Sequence, residues 1–308
     1  MRIGIDIGGT SMTAALVDGA AVSFKQRSAT AGLRSEQALI DTVFATLDRL
    51  FAESGISKSE ISSIGIGVPG RTDVATGTAV SAGNLPVRNT CFKALLEKRY
   101  GIKTYLDNDA NCAAWGEFCE GHGKGLDDMV MVTLGTGIGG GIIIDGKILH
   151  GQENHAGELG HQVIDIHGKR CPCGRVGCWE TVASTKALSQ RVAQEVMAVP
   201  YGLLAEAVNE NGGKIDGRTL FIALKRGDRV AMDIFDEYIE MLSVGIINIL
   251  EAFRPQLLVI GGGVSKEGDT LLAPLRKLIG DTPCRLETSA LADEAGLIGA
   301  ALLDLSQK

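Results

Sequence analysis

Apolar and polar positions alternate at the start of the chain. Ile3, Ile5 and Ile7 are separated by Gly4 and Asp6, which predicts a strand running into Gly8-Gly9-Thr10. An extended apolar run resumes through Val17 to an Asp18-Gly19 turn, and a third strand is predicted over AVSFKQRSA, 21–29. The period then becomes helical. Leu39, Ile40, Val43, Phe44, Leu47, Leu50 and Phe51 share one face of the stretch 35–54, with Ser35 as a candidate cap. ISSIGIGVPG (61–70) and IKTYLDND (102–109) read as further strands, and ANCAAWGEFCEG (110–121) as the helix after the second. Longer helical stretches are expected around 184–209 and 228–253. LLVIGGGVS (257–265) reads as a late strand and glycine loop, and EAGLIGAALL (294–303) as a helix whose small residues allow close packing. Strands alternating with helices indicate an α/β sheet.

The pattern then repeats. Residues 3–22 align without a gap on residues 130–149 at an offset of 127, pairing Gly8 with Gly135, Asp18 with Asp145 and Gly19 with Gly146. Both segments read apolar strand, glycine turn, apolar strand, Asp-Gly turn. A duplicated architecture is expected, each half opening with a hairpin whose glycine-rich tip faces a shared cleft.

Composition narrows the partners. With 308 residues, 45 % of them hydrophobic, the chain is long enough for two globular domains. Its net charge of -7, without any basic run, disfavours nucleic acid. No stretch reaches the roughly 18 continuous apolar residues of a membrane span, and MRIGIDIGGT lacks the pattern of a signal peptide. A cytoplasmic protein is expected, in which the seven cysteines stay reduced.

Three glycine-rich tips, DIGGT, GTGIGG and IGGGVS, are candidate polyphosphate cradles, because backbone N–H groups without a Cβ beside them approach phosphate oxygens closely. Each singly is equally a hairpin turn; together they argue for a nucleotide. GTGIGG fits a dinucleotide fingerprint in spacing, but apolar β-branched GIIIDGKIL follows it where that motif needs a helix. Asp6 is either a carboxylate bonded to its turn or a group holding Mg2+ through water. In YLDNDAN, Asp107 and Asp109 are each candidates for a helix N-cap or for the carboxylate that orients a phosphoryl acceptor. Glu158 and His161 of NHAGELGH, with Glu180, can accept from sugar hydroxyls. Cys171, Cys173 and Cys178, preceded by His161, supply the four ligands of a closed, structural zinc site. Cys91, Cys112, Cys119 and Cys284 read as core residues. His155 is a weaker zinc or sugar candidate, and His122, His150 and His167 show no role.

D-x-G-G-T, N-D-A-N, G-E-L-G-H and C-x-C-G-x-x-G-C-x-E, in this order, resemble the ROK family of sugar kinases and sugar-responsive repressors. The resemblance implies the actin-like ATPase (ribonuclease H-like) fold, with a small lobe of 1–112 plus about 290–308 and a larger lobe of 113–289. It implies Asp109 as the base on a hexose 6-hydroxyl, with Asn84, Asn108, Glu158, His161 and Glu180 around the sugar. Phosphate contacts are implied at Gly8, Gly9, Thr10, Thr136 and Gly137, adenosine near Gly262 and Gly263, and ATP, Mg2+ and structural Zn2+ as cofactors. Glucose is the first expectation, ahead of N-acetylmannosamine, N-acetylglucosamine, allose and fructose. A homodimer is expected by resemblance alone. A repressor is disfavoured, because its N-terminal DNA-binding segment would stand where the first strand begins. Two positions depart from the family pattern: Ser11 stands where many relatives carry lysine, and Trp179 where an aliphatic residue is usual.

Overall fold

The computed structural model describes residues 1–306. A meander of β1 (Arg2–Ile7), β2 (Ser11–Asp18) and β3 (Ala21–Ala29) opens the chain, followed by α1 (Glu36–Ser54) and β4 (Ile64–Val68). A small sheet of β5 (Arg71–Asp73), β6 (Thr78–Ser81) and β7 (Arg88–Cys91) comes next. It leads through α2 (Phe92–Tyr100) and β8 (Thr104–Asn108) to α3 (Asp109–Glu120). The main sheet has the order β3-β2-β1-β4-β8, antiparallel within the meander and parallel from β1 to β8. Ile3, Ile5 and Ile7 are fully buried in it, as their alternation requires. Leu39, Val43, Leu47 and Leu50 of α1 are equally buried, and Ser35 caps that helix by accepting from the Ala38 N–H.

The second half repeats the order. β9 (Met129–Leu134), β10 (Ile138–Ile144) and β11 (Lys147–Ile148) precede helices α4 (Glu180–Ala183), α5 (Thr185–Ala198), α6 (Leu203–Glu210), α7 (Gly217–Lys225) and α8 (Arg229–Phe253). Then come β12 (Leu257–Gly262), α9 (Asp269–Ile279), β13 (Arg285–Thr288), α10 (Ala295–Ala301) and α11 (Leu303–Ser306). The second sheet runs β11-β10-β9-β12-β13. The bounds of β1 and β9 differ by 127 at both ends, the offset of the sequence repeat. β10 is a strand, as the rejection of a dinucleotide fingerprint demands.

Two compact units result. The first holds residues 1–131, 140–157 and the stretch from Ser289; the second holds 132–139 and 158–288. Within the first, α10 lies backbone to backbone against its neighbours. A Cβ at Gly65 of β4 would fall 1.7 Å from the Ala300 carbonyl oxygen, and one at Gly299 would fall 1.6 Å from that of Cys112 in α3. No described helix is long and apolar enough to cross a membrane.

Candidate functional site

In the first unit the candidates gather where β1 and β8 end. Asp6 is half-buried near the C-terminal end of β1. Its pKa is pushed up to about 6, by burial first and by the negative charge of Asp109 second. Gly8, Gly9 and Thr10 form the tip that follows, where the Gly8 N–H donates to the Ser11 carbonyl at 2.9 Å. Asn84 lies against this tip, since a Cβ on Gly9 would come within 3.0 Å of the Asn84 Cβ. Ser11, the position without a lysine, accepts instead from the Arg27 guanidinium at 2.9 Å.

Asp109 is the first residue of α3, and its Oδ1 accepts from the Ala110 N–H at 3.0 Å. The cap itself is Asn108. Its Oδ1 accepts from the N–H groups of Ala110 and Asn111 at 2.8 and 3.3 Å, and its amide donates to the Gly70 carbonyl at 3.1 Å. Capping is therefore the work of neither Asp107 nor Asp109. Asp109 is half-buried, while Asp107 is fully buried. Asp107 Oδ1 accepts from the Asn108 N–H at 2.7 Å and the Asn111 amide at 3.0 Å, and its Oδ2 lies 2.6 Å from His150 Nε2. Burial alone would lower the His150 pKa, but the hydrogen bond and charge of Asp107 outweigh it and raise it. His150, which shows no role in the sequence, thus anchors the strand end that carries Asp109.

The second unit holds the other group. His161, Cys171, Cys173 and Cys178 offer ligand atoms that all lie within 4.8 Å of one another. Cys173 Sγ is 3.5 Å from Cys178 Sγ, and Cys171 Sγ is 3.6 Å from His161 Nδ1. A tetrahedron with Zn–S near 2.3 Å and Zn–N near 2.0 Å has edges of about 3.5–3.8 Å, so this donor set fits zinc. His155 lies outside the group. Burial raises the Cys171 thiol pKa, whereas the Arg175 backbone N–H lowers that of exposed Cys173.

Glu180 opens α4 beside the cluster, with Oε1 3.1 Å from Cys171 Sγ and 3.5 Å from His161 Nδ1. Its Oε2 would lie 2.6 Å from a Cβ on Gly137, so the same carboxylate borders the second glycine tip. With Nδ1 on the cluster side, Nε2 of His161 faces Glu158 Oε2 at 3.8 Å. Thr136 is exposed at the tip, and Gly262 and Gly263 are exposed where β12 ends. Trp179, the second departure, is fully buried; its Nε1–H donates to the Met241 carbonyl at 2.9 Å, in the space that Gly245 leaves open on α8. Of the isolated cysteines, Cys112 and Cys284 are buried, as a core reading requires, while Cys91 and Cys119 are only half-buried.

A family model described as the ROK family matches residues 2–307. A glucokinase of Halalkalibacterium halodurans is 35% identical, over 99% of this chain and 95% of its own. An N-acetylmannosamine kinase of Salmonella newport is 32% identical, over 98% and 97%. The crystal structure of a ROK family glucokinase from Streptomyces griseus in complex with glucose and AMPPNP superposes with a TM-score of 0.85, at 35% identity over 98% of each chain.

Proposed function

The chain belongs to the ROK family, and on that footing we propose that it is a sugar kinase, transferring the γ-phosphoryl group of ATP to the 6-hydroxyl of a hexose, glucose first. The observation that carries this reading is the sheet register, which sets Asp6 of β1 beside Gly67 of β4 and Gly67 beside Asp107 of β8, two residues before Asp109. The candidate base thereby stands within range of the first phosphate tip. A carboxylate penalised by burial, with a second carboxylate's charge acting on it, is the kind of site a divalent cation relieves, which supports Asp6 as the group that holds Mg2+ through water.

In this mechanism Asp109 accepts a hydrogen bond from the 6-hydroxyl and points its oxygen at the γ-phosphorus. As the O–P bond forms and the bond to the β-phosphate oxygen breaks, the hydroxyl proton passes to Asp109 and ADP leaves. In a loose transition state the gain comes mostly from this positioning, with the proton moving late. Gly8, Gly9, Thr10, Thr136 and Gly137 supply phosphate donors, and Gly262 and Gly263 border the adenosine. Asn84, Asn108, Glu158, His161 and Glu180 hold the remaining hydroxyls. His161, Cys171, Cys173 and Cys178 would hold a zinc ion, which would supply rigidity; a cytoplasmic homodimer belongs to the same proposal, and sedimentation would test the dimer.

A coupled assay with ATP over glucose, N-acetylmannosamine, N-acetylglucosamine, allose and fructose tests the substrate, with glucose expected to give the highest kcat/KM. Asp109→Asn should lower kcat by about 10²–10⁴-fold while glucose still binds. Wild-type-like turnover in that variant would overturn the assignment of the base, and a better acceptor than glucose would replace the substrate.

A further inference from the structure

The first two glycine tips share a feature that lies outside the loops themselves. In one, the hydroxyl of Thr30 donates to the Gly8 carbonyl at 2.6 Å, from 22 residues away. In the other, the hydroxyl of Thr185 donates to the Gly135 carbonyl from 50 residues away, and the Thr185 N–H reaches the same oxygen at 2.9 Å. Gly8 and Gly135 are equivalent under the 127-residue repeat, but the threonines are not: Thr30 follows β3, whereas Thr185 opens α5. The same contact has been built twice from unrelated parts of the chain. The glycine N–H groups are tied too, Gly8 to the Ser11 carbonyl at 2.9 Å and Gly135 to that of Gly137 at 3.0 Å.

A trans peptide points its C=O and the following N–H in opposite directions. Holding the Gly8 carbonyl therefore turns the Gly9 N–H away from the clamp, and holding that of Gly135 does the same for Thr136. Without a tether, glycine's wide choice of backbone angles would spread these donors over several orientations. The third tip differs, because the Ser265 hydroxyl bonds Gly262 at 2.7 Å from only three residues away, as an ordinary local turn does. We propose that Thr30 and Thr185 are positioning residues for the nucleotide, each locking one loop peptide so that the N–H groups of Gly9 and Thr136 are preset as phosphate donors.

The proposal rests on the sugar-kinase reading, and its test separates the two. Thr30→Val and Thr185→Val keep the shape and remove the hydroxyl; Thr30→Ser and Thr185→Ser keep the hydroxyl. Each valine variant should raise the KM for ATP, and the Kd for ADP by calorimetry, about tenfold, while the Kd for glucose stays within about twofold. Each serine variant should recover nucleotide binding to within about twofold of wild type. Wild-type nucleotide affinity in both valine variants, or an equal loss of glucose affinity, overturns the clamp while leaving the kinase reading standing. A wild-type protein that phosphorylates no hexose with ATP overturns the kinase reading, whatever the variants do. Thr185 is only half-buried, so Thr185→Val keeps the test open should valine at buried Thr30 fail to fold.

Discussion

Asp107 is a carboxylate taken wholly out of water, and its two oxygens are matched by the Asn108 N–H, the Asn111 amide and the His150 ring. Removing the imidazole leaves a buried charge short of a partner, which costs on the order of 1–3 kcal/mol. His150 has its folded pKa raised, so protonation favours the folded state. The stabilisation is full below the unfolded value near 6.5 and shrinks as pH rises through the raised folded value. His150→Ala should accordingly lose most stability relative to wild type near pH 6 and less near pH 9, measured by urea unfolding. A gap that widens with pH would contradict the pairing. Sequence alone could not show this pair, because its members stand 43 residues apart, Asp107 in β8 and His150 in the loop after β11, and only the tertiary fold brings them together. Thr30 and Thr185 were hidden for the same reason, whereas the cysteine spacing exposed the zinc candidates directly.

At the scale of elements, strong periodicity was readable and short or polar elements were not. The face of α1, its Ser35 cap and the small-residue helix α10 follow from spacing. The helix expected around 184–209 is instead α5 and α6, parted at Val199-Pro200-Tyr201-Gly202, where proline cannot continue the helix. Strands β5, β6 and β7 have only three or four residues each and no apolar alternation to read. Because α10 touches β4 and α3 through bare backbone, Gly65→Ala or Gly299→Ala should destabilise by about 1–3 kcal/mol or more, seen as a lowered urea midpoint. It should also cut turnover, since α3 carries Asp109; unchanged stability would mean that the close contact is slack. The zinc loop is a different case. Its β pairing is limited to isolated bridges, Val163 to Cys178 and Arg170 to Val176, with turn hydrogen bonds such as Cys171 N–H to the Arg175 carbonyl at 2.8 Å and Gly177 N–H to that of Lys169 at 2.8 Å. Chelation should raise the Kd for glucose far more than that for ADP, and an unchanged glucose Kd would reduce the metal to a staple of the fold.

Across the whole molecule, the duplication is the feature that sequence carried best: an offset found in twenty residues reappears in strand bounds and in the order of two sheets. Spacing and periodicity did not show the contacts by which the last part of the chain, assigned to the small lobe through the family resemblance alone, closes the first unit. Arg2 forms a two-pronged ion pair with Asp304 at 2.8 and 3.1 Å, and the Trp115 indole donates to the Leu302 carbonyl at 2.9 Å. Buried Glu117 accepts from the Leu291 N–H at 2.8 Å and from the Ser289 hydroxyl. During synthesis, then, the strand that leaves the ribosome first finds its covering helix last. At about 5–20 residues per second, β1 waits roughly 15–60 s and β4 roughly 12–46 s with their glycine-lined face bare. For that interval they are the surface a chaperone would meet.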